Sequence, residues 1–405
     1  MTDDPSSQAP STSNRELWIL AGLACAALCV LLPFLWDHTG ADLKIYRLGG
    51  DTILSAPSAL YSARLPTMSL LFTYPPFAGL VFVPFALLPW PFPYALSIAC
   101  SVAALWVIVR SAVQPARLRT AAMVAAVAVC VLTDPVRETL SYGQINLFLC
   151  ALVVYDVLDR KHPGRGSWVG VAAGIKLTPL VFVALLLVTR QWRALRYACA
   201  TFAGTLLLGF AIAPSASWQY WTRLVFDSGR IGPVAFAGNQ SWNGLFVRLG
   251  APSSGAAWAV AVLVTVLGGL WLSRRLYDQG QELASLSVCA MVGLLCAPIS
   301  WNHHWVWIIP MGIALTQLVS PERPLRRALV AAVWFGFFIV APYRWVPRTN
   351  DREFAWTVGQ QFVGNAYVIA ALAAIVVLAV STRRRPAASV STRASRSGSP
   401  ARTGP

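Results

Sequence analysis

The chain has 405 residues, 57% of them hydrophobic and only 12% charged, with a formal net charge of +16. A soluble domain carries about a quarter charged residues, and no single aqueous core hides this many apolar runs. The excess base lies in short segments between those runs and in the C-terminal tail, which is the pattern of cytoplasmic loops in a membrane protein rather than of a nucleic-acid binder.

Residues 1–16 are polar and read as a disordered cytoplasmic N-terminus. The first apolar run, Leu17–Leu35, has no basic region before it and no A-x-A site, so it is expected to be a retained helix rather than a cleaved signal. Twelve apolar segments follow one another at 17–36, 75–89, 93–112, 120–133, 145–158, 167–188, 195–213, 255–273, 283–299, 305–319, 327–345 and 360–381. A crossing needs about 20 apolar residues, and several segments are shorter. The expected fold is an all-α polytopic bundle over 17–381 with about 10–12 transmembrane segments, some broken or re-entrant.

Charge orients the segments. Arg110–Arg119, Arg160–Arg165, Arg190–Arg196, Arg274–Arg275 and Arg323–Arg327 bound basic loops and are placed inside, with both termini. Residues 37–74, 134–144, 214–254, 300–304 and 346–359 then fall outside. This topology needs 75–112 to cross once around Pro89–Pro93, and 167–188 to turn near Lys176–Pro179, where irregular backbone and a lysine are tolerated beside a polar cavity. Twelve plain crossings are the alternative. The first outer loop is long and is expected to carry short amphipathic helices. Residues 382–405 hold six Arg and no acid and read as a disordered cytoplasmic tail suited to anionic lipid. The eight Cys lie in apolar runs, where they act as small hydrophobes, and no Cys/His spacing marks a metal site.

The outer segments concentrate polar side chains: Asp42 and Tyr46, then Tyr74, in the first; Arg137, Glu138, Gln144 and Asn146 in and after the second; Asp227, Arg230, Asn239, Gln240, Trp242 and Asn243 in the third; His303 and His304 in the fourth. Amides and aromatics suit sugar hydroxyls and ring faces, cations suit phosphate, and a carboxylate suits a general base. Neither a GxGxxG fingerprint nor a P-loop occurs, so the activated donor is expected to be lipid-borne, with no cofactor and no metal.

The strings Phe72-Thr-Tyr-Pro-Pro76, Tyr142-Gly-Gln-Ile-Asn146, Gly174-Ile-Lys-Leu-Thr-Pro179, Asn239-Gln-Ser-Trp242 and Pro298-Ile-Ser-Trp-Asn-His-His-Trp305 resemble those of the actinobacterial polyprenyl-phosphate-mannose-dependent mannosyltransferases of the GT-C class. The nearest branch extends phosphatidylinositol mannosides with α-1,2-linked mannose. The resemblance implies a GT-C bundle, an inverting single displacement from a β-mannosyl phosphate, and a base in the first outer loop that falls on Asp42. It also implies a polyprenyl-phosphate-mannose donor, a glycolipid acceptor and an outward-facing site in the plasma membrane; it names no protein partner. Lys176, His303, His304 and Arg137 are the candidates for the donor phosphate, with Gln144 and Asn146 beside them. Tyr46, Tyr74, Glu138, Asn239, Gln240, Trp242 and Asn243 are the candidates for acceptor or sugar contact.

Each assignment has a plainer rival. Asp37, Asp51, Asp134, Glu138, Asp227, Asp351 and Glu353 compete with Asp42. Lys176 can snorkel to the interface, the His pair can belong to an aromatic belt with Trp301, Trp305 and Trp307, Arg137–Glu138 can be a structural ion pair, and the amides can cap helices or build turns. Other functional readings are a transferase using another polyprenyl-phosphate sugar such as arabinofuranose, another mannan acceptor, or a transporter of lipid-linked sugars. A transporter more often has two related halves, and no internal repeat stands out.

Overall fold

A computed structural model describes residues 39–66, 68, 70–113 and 120–383; the first apolar run, Asp37 and the tail beyond Arg383 lie outside the described residues. Within them the regular structure is helical, in seventeen α-helices and several 3-10 turns, with two isolated bridges and no strand. The helices are α1 (Ala41–Ser55), α2 (Pro76–Leu87), α3 (Pro91–Ala112), α4 (Thr120–Leu132), α5 (Asp134–Tyr142), α6 (Asn146–Leu158), α7 (Ser167–Ile175), α8 (Leu180–Val188), α9 (Trp192–Ile212), α10 (Pro214–Thr222), α11 (Trp242–Arg248), α12 (Ala256–Asp278), α13 (Glu282–Cys296), α14 (Ile308–Gln317), α15 (Pro324–Val340), α16 (Val358–Gly364) and α17 (Ala366–Arg383).

Three of these, α3, α9 and α12, are long and apolar enough to cross a bilayer alone, and α15 is so together with the 3-10 turn that continues it to Trp345. The pairs α4–α5, bent by 76°, and α16–α17, bent by 69°, pass only together. Helices α2, α6 and α13 are apolar but have 12, 13 and 15 residues, less than the hydrocarbon thickness at 1.5 Å per residue. The described part is therefore the all-α bundle with broken elements that composition predicts, in which whole crossings are fewer than apolar segments. Leu207 of α9 and Val264 and Leu267 of α12 point outward at 71%, 65% and 63% exposure, as lipid-facing side chains do.

Close packing sets the inner helices. Gly170 and Gly174 turn α7 toward α9, where an added Cβ would sit 2.0 Å from Thr201 Oγ1 and 2.2 Å from Thr205 Oγ1. Small residues four apart let helix backbones approach in a membrane, and here the approach fixes the end of α7. The chain then leaves the helix at Lys176 in extended backbone (φ −146°, ψ 133°) and re-enters it at Leu180 after Pro179. The interruption falls where the sequence predicts a turn.

The loops predicted outside contain more helix than expected. Residues 134–142 form α5, started by Pro135 in the first turn and ended by Gly143 in the left-handed conformation (φ 67°). The third outer segment contains α10 and α11, and the last contains part of α16. These segments meet at one end of the bundle. Asn239 bridges to Trp301, Arg230 donates to the Tyr61 carbonyl, and α5 packs against the 3-10 turn Asn302–Trp307.

Candidate active site

The gathered segments enclose a cavity of about 260 Å³. Asp42, Tyr74, Gln144, Lys176 and His304 line it, together with Tyr61, Tyr220, Asp227, Arg230 and Trp301 and an apolar wall that includes Leu70, Phe72, Val225 and Ile231. Five positions predicted from sequence thus share one cavity. Each comes from a different element: the first turn of α1, the stretch before α2, the α5–α6 junction, the α7–α8 break and the turn before α14.

Lys176 organises the polar side. Its Nζ donates to Asn146 Oδ1 at 2.8 Å and meets His304 Nε2 at 3.1 Å, while the Tyr74 ring lies 5.6 Å away. An ammonium only donates, so His304 Nε2 accepts and its ring proton belongs on Nδ1. Asn146 completes the arrangement by donating from Nδ2 to the His303 carbonyl at 3.0 Å, which Thr139 also contacts at 3.2 Å. The lysine has three protons and two partners here, which leaves one for a ligand in the cavity.

Asp42 sits opposite as a half-buried carboxylate, hydrogen-bonded by the Gln144 side chain and within the field of Lys176. Burial outweighs both and raises its carboxyl from 3.8 to about 6. Such a group is ionised at neutral pH and is a stronger base than an exposed aspartate.

The other candidates lie elsewhere. His303 is buried behind His304, edge-on to Tyr142, and does not line the cavity. Tyr46 is 1% exposed, behind Tyr74. Arg137 lies 4.0 Å from Asp134, and Glu138 pairs with Arg344 at 2.5 Å. The amides of the third segment are engaged by the fold. Asn239 accepts from Ser300 N and donates to the Val234 carbonyl. Gln240 donates to the Ala237 and Gly364 carbonyls and accepts from Tyr367 N. Asn243 joins Pro298, Ser253 and Ser254, and Trp242 donates to Thr265. None of these four lines the cavity. Among their rivals, Asp227 is an exposed carboxylate at the cavity wall, and Asp134 is enclosed by donors.

Sequence reading passed over Tyr61, Tyr220 and Trp301 as lining residues. Tyr61 and Tyr220 stack at 5.5 Å, and Tyr61 donates to the Tyr74 carbonyl, so they form one aromatic wall. The Trp301-Asn302-His303-His304 string was the one signal pointing to that part of the wall.

Residues 72–298 match the model of glycosyltransferase family 87. The chain is 33% identical, over 91% of its length and 92% of the relative's, to a polyprenol-phosphate-mannose-dependent α-(1-2)-phosphatidylinositol mannoside mannosyltransferase of Mycobacterium tuberculosis. It is 32% identical to a pentamannoside mannosyltransferase of Mycolicibacterium smegmatis, over 84% of this chain and 85% of the other. It is 26% identical to an α-(1→3)-arabinofuranosyltransferase of Mycobacterium tuberculosis, over 82% and 78%. No solved structure matches. With the family model and full-length relatives in agreement, the chain belongs to glycosyltransferase family 87.

Proposed function

We propose that this protein transfers mannose from polyprenyl-phosphate-mannose to a membrane-anchored mannoside, a phosphatidylinositol mannoside, forming an α-1,2 linkage at the outer face of the plasma membrane. The observation that carries the reading is the pairing of a raised carboxylate, Asp42, with the Lys176–His304 couple in one cavity. Asp42 takes the proton of the acceptor hydroxyl, whose oxygen attacks the anomeric carbon. The bond from that carbon to the phosphate oxygen breaks, and its electron pair leaves with the polyprenyl phosphate. Lys176 and His304 support the charge that develops there. One displacement inverts the centre, so a β-linked donor yields an α-mannoside. The residues supply a base, the Lys176 ammonium and the neutral His304 imidazole that holds it for this step, without a cofactor.

The names of the relatives support mannose over arabinofuranose, since the mannosyltransferases are the more similar. The basic loops support a cytoplasmic side opposite the cavity, with both termini there.

The protein in vesicles, given labelled polyprenyl-phosphate-mannose and phosphatidylinositol mannoside, is expected to place label on the acceptor lipid. Label that changes leaflet without a new glycosidic bond would instead identify a transporter. Lys176→Met, which keeps the chain length and removes the charge, is expected to cut transfer about 10²-fold, since lost charge support at a leaving oxygen costs that order. An unchanged rate would remove Lys176 from the donor site.

A further inference from the structure

Tyr46 and Asp42 stand four residues apart on α1 and so share a face, yet only Asp42 reaches the cavity. The Tyr46 ring is stacked on Phe82, with centroids 4.1 Å apart and planes 9° from parallel. Its hydroxyl lies 2.8 Å from Gln144 Oε1, 2.9 Å from the Tyr74 hydroxyl and 3.5 Å from the Ile145 backbone nitrogen.

Donor accounting fixes the direction of each bond. A tyrosine has one proton, and an amide oxygen only accepts, so Tyr46 donates to Gln144. The contact between the two hydroxyls then needs Tyr74 as donor. With its oxygen held by Tyr46, Gln144 turns its NH2 to the Asp42 carboxylate. Tyr74, its proton committed, offers lone pairs to the cavity it lines.

We propose that Tyr46 is a positioning residue for the transfer reaction, locking the Gln144 amide so that its NH2 faces Asp42. The inference rests on Asp42 as the base. Tyr46 acts through Gln144 and touches no substrate. Without its hydroxyl the amide is free to turn its oxygen toward the carboxylate, placing acceptor against acceptor.

The groups around Asp42 are few. Lys176 faces it from the α7–α8 break, with His304 behind the lysine. Tyr74 faces it from the stretch before α2, and Tyr142 from α5, where Glu138 stands beyond Tyr142. Tyr94 of α3 turns its hydroxyl to the Leu140 carbonyl. On α1 itself Lys44 and Arg47 lie over Trp90. Helix α2, the main support of α1, has no titratable side chain. None of these replaces the hydrogen bond from Gln144.

The test is the pH dependence of kcat for mannosyl transfer in Tyr46→Phe, which keeps the ring stack on Phe82. The acid limb, expected near pH 6 in the parent protein, is expected to move up by roughly one pH unit. KM should be unchanged, and kcat should return to within about threefold at high pH, where even a weakened carboxylate is ionised. Gln144→Leu removes the same donor by another route and is expected to move the limb in the same direction. A limb that stays in place in both variants, or a loss of kcat equal at every pH, overturns the positioning role. Asp42→Asn separates the two ideas. If it is inactive and the limb stays put in the other variants, only the role of Tyr46 fails; if it is active, the base assignment fails and this inference fails with it.

Discussion

Asp42→Asn is expected to lower mannosyl transfer about 10³-fold, the usual contribution of a general base, and at the same time to make the folded protein more stable at neutral pH. Both effects have one origin. Burial raises the carboxyl from 3.8 to about 6, so the folded state holds the proton more firmly than the unfolded state does. The ionised form therefore burdens the fold fully above pH 6, progressively less between 6 and 3.8, and not at all below. The difference corresponds to at most about 3 kcal/mol, reduced by the solvent that a half-buried group keeps. Asparagine has the same shape, accepts the same bond from Gln144 and has no charge to desolvate. The thermal midpoint of the detergent-purified variant should rise at pH 7.5, and the gain should vanish toward pH 4. Activity retained in a folded variant would sink the base assignment. Lost activity with a lowered midpoint would instead mark Asp42 as part of the structural frame.

The membrane fold was legible because it depends on local quantities. Apolar runs, Pro and Gly breaks and the position of base are all visible in one dimension, and the interruption at Lys176–Pro179 could be placed from them. The helix within segment 134–144 was less legible, because nine residues of polar sequence carry it and its boundaries depend on Pro135 and a left-handed Gly143. Side-chain destinations were less legible than residue types. Asn146 and Gln240 are both amides next to motif positions, but Asn146 faces Lys176 while Gln240 is consumed by three peptide groups. An amide suits a sugar hydroxyl and a backbone carbonyl equally well, so only tertiary structure separates them. The His pair shows the same limit. Adjacent residues point apart, and the choice of His304 for the cavity follows from how the 3-10 turn meets α5 and α6. Tyr61 lies more than 150 residues before Tyr220 and Arg230, and no pattern in the sequence links it to them.

Asp134→Ala is expected to destabilise the fold by about 3–5 kcal/mol, the largest stability loss anticipated for a single site here. Asp134 is fully buried. It accepts from Arg344 Nε at 2.5 Å, Tyr367 OH at 2.9 Å, and Asn302 Nδ2 and Tyr343 OH at 3.1 Å each. Those donors come from a 3-10 turn near 342–345, from α17 and from the turn that carries the His pair, so one carboxylate joins α5 to three parts of the chain remote in sequence. Alanine would strand two buried hydroxyls and an amide and leave Arg344 with Glu138 alone. Tyr343→Phe, which removes one donor and leaves the charge paired, should cost only about 1 kcal/mol. This ratio identifies the carboxylate as the hub. The loss should also reach the site, because Asn302 directly precedes His303 and His304. Asp134→Ala that remains folded at low temperature is expected to show a higher KM for the lipid donor, as His304 loses its fixed position beside Lys176. Thermal melting of the purified variants and donor KM measured on the folded fraction check both points. An unchanged midpoint for Asp134→Ala would show that the bundle holds these segments together without it. A lowered midpoint with unchanged KM would confine Asp134 to stability and leave the His304 turn fixed by Asn146 and Thr139.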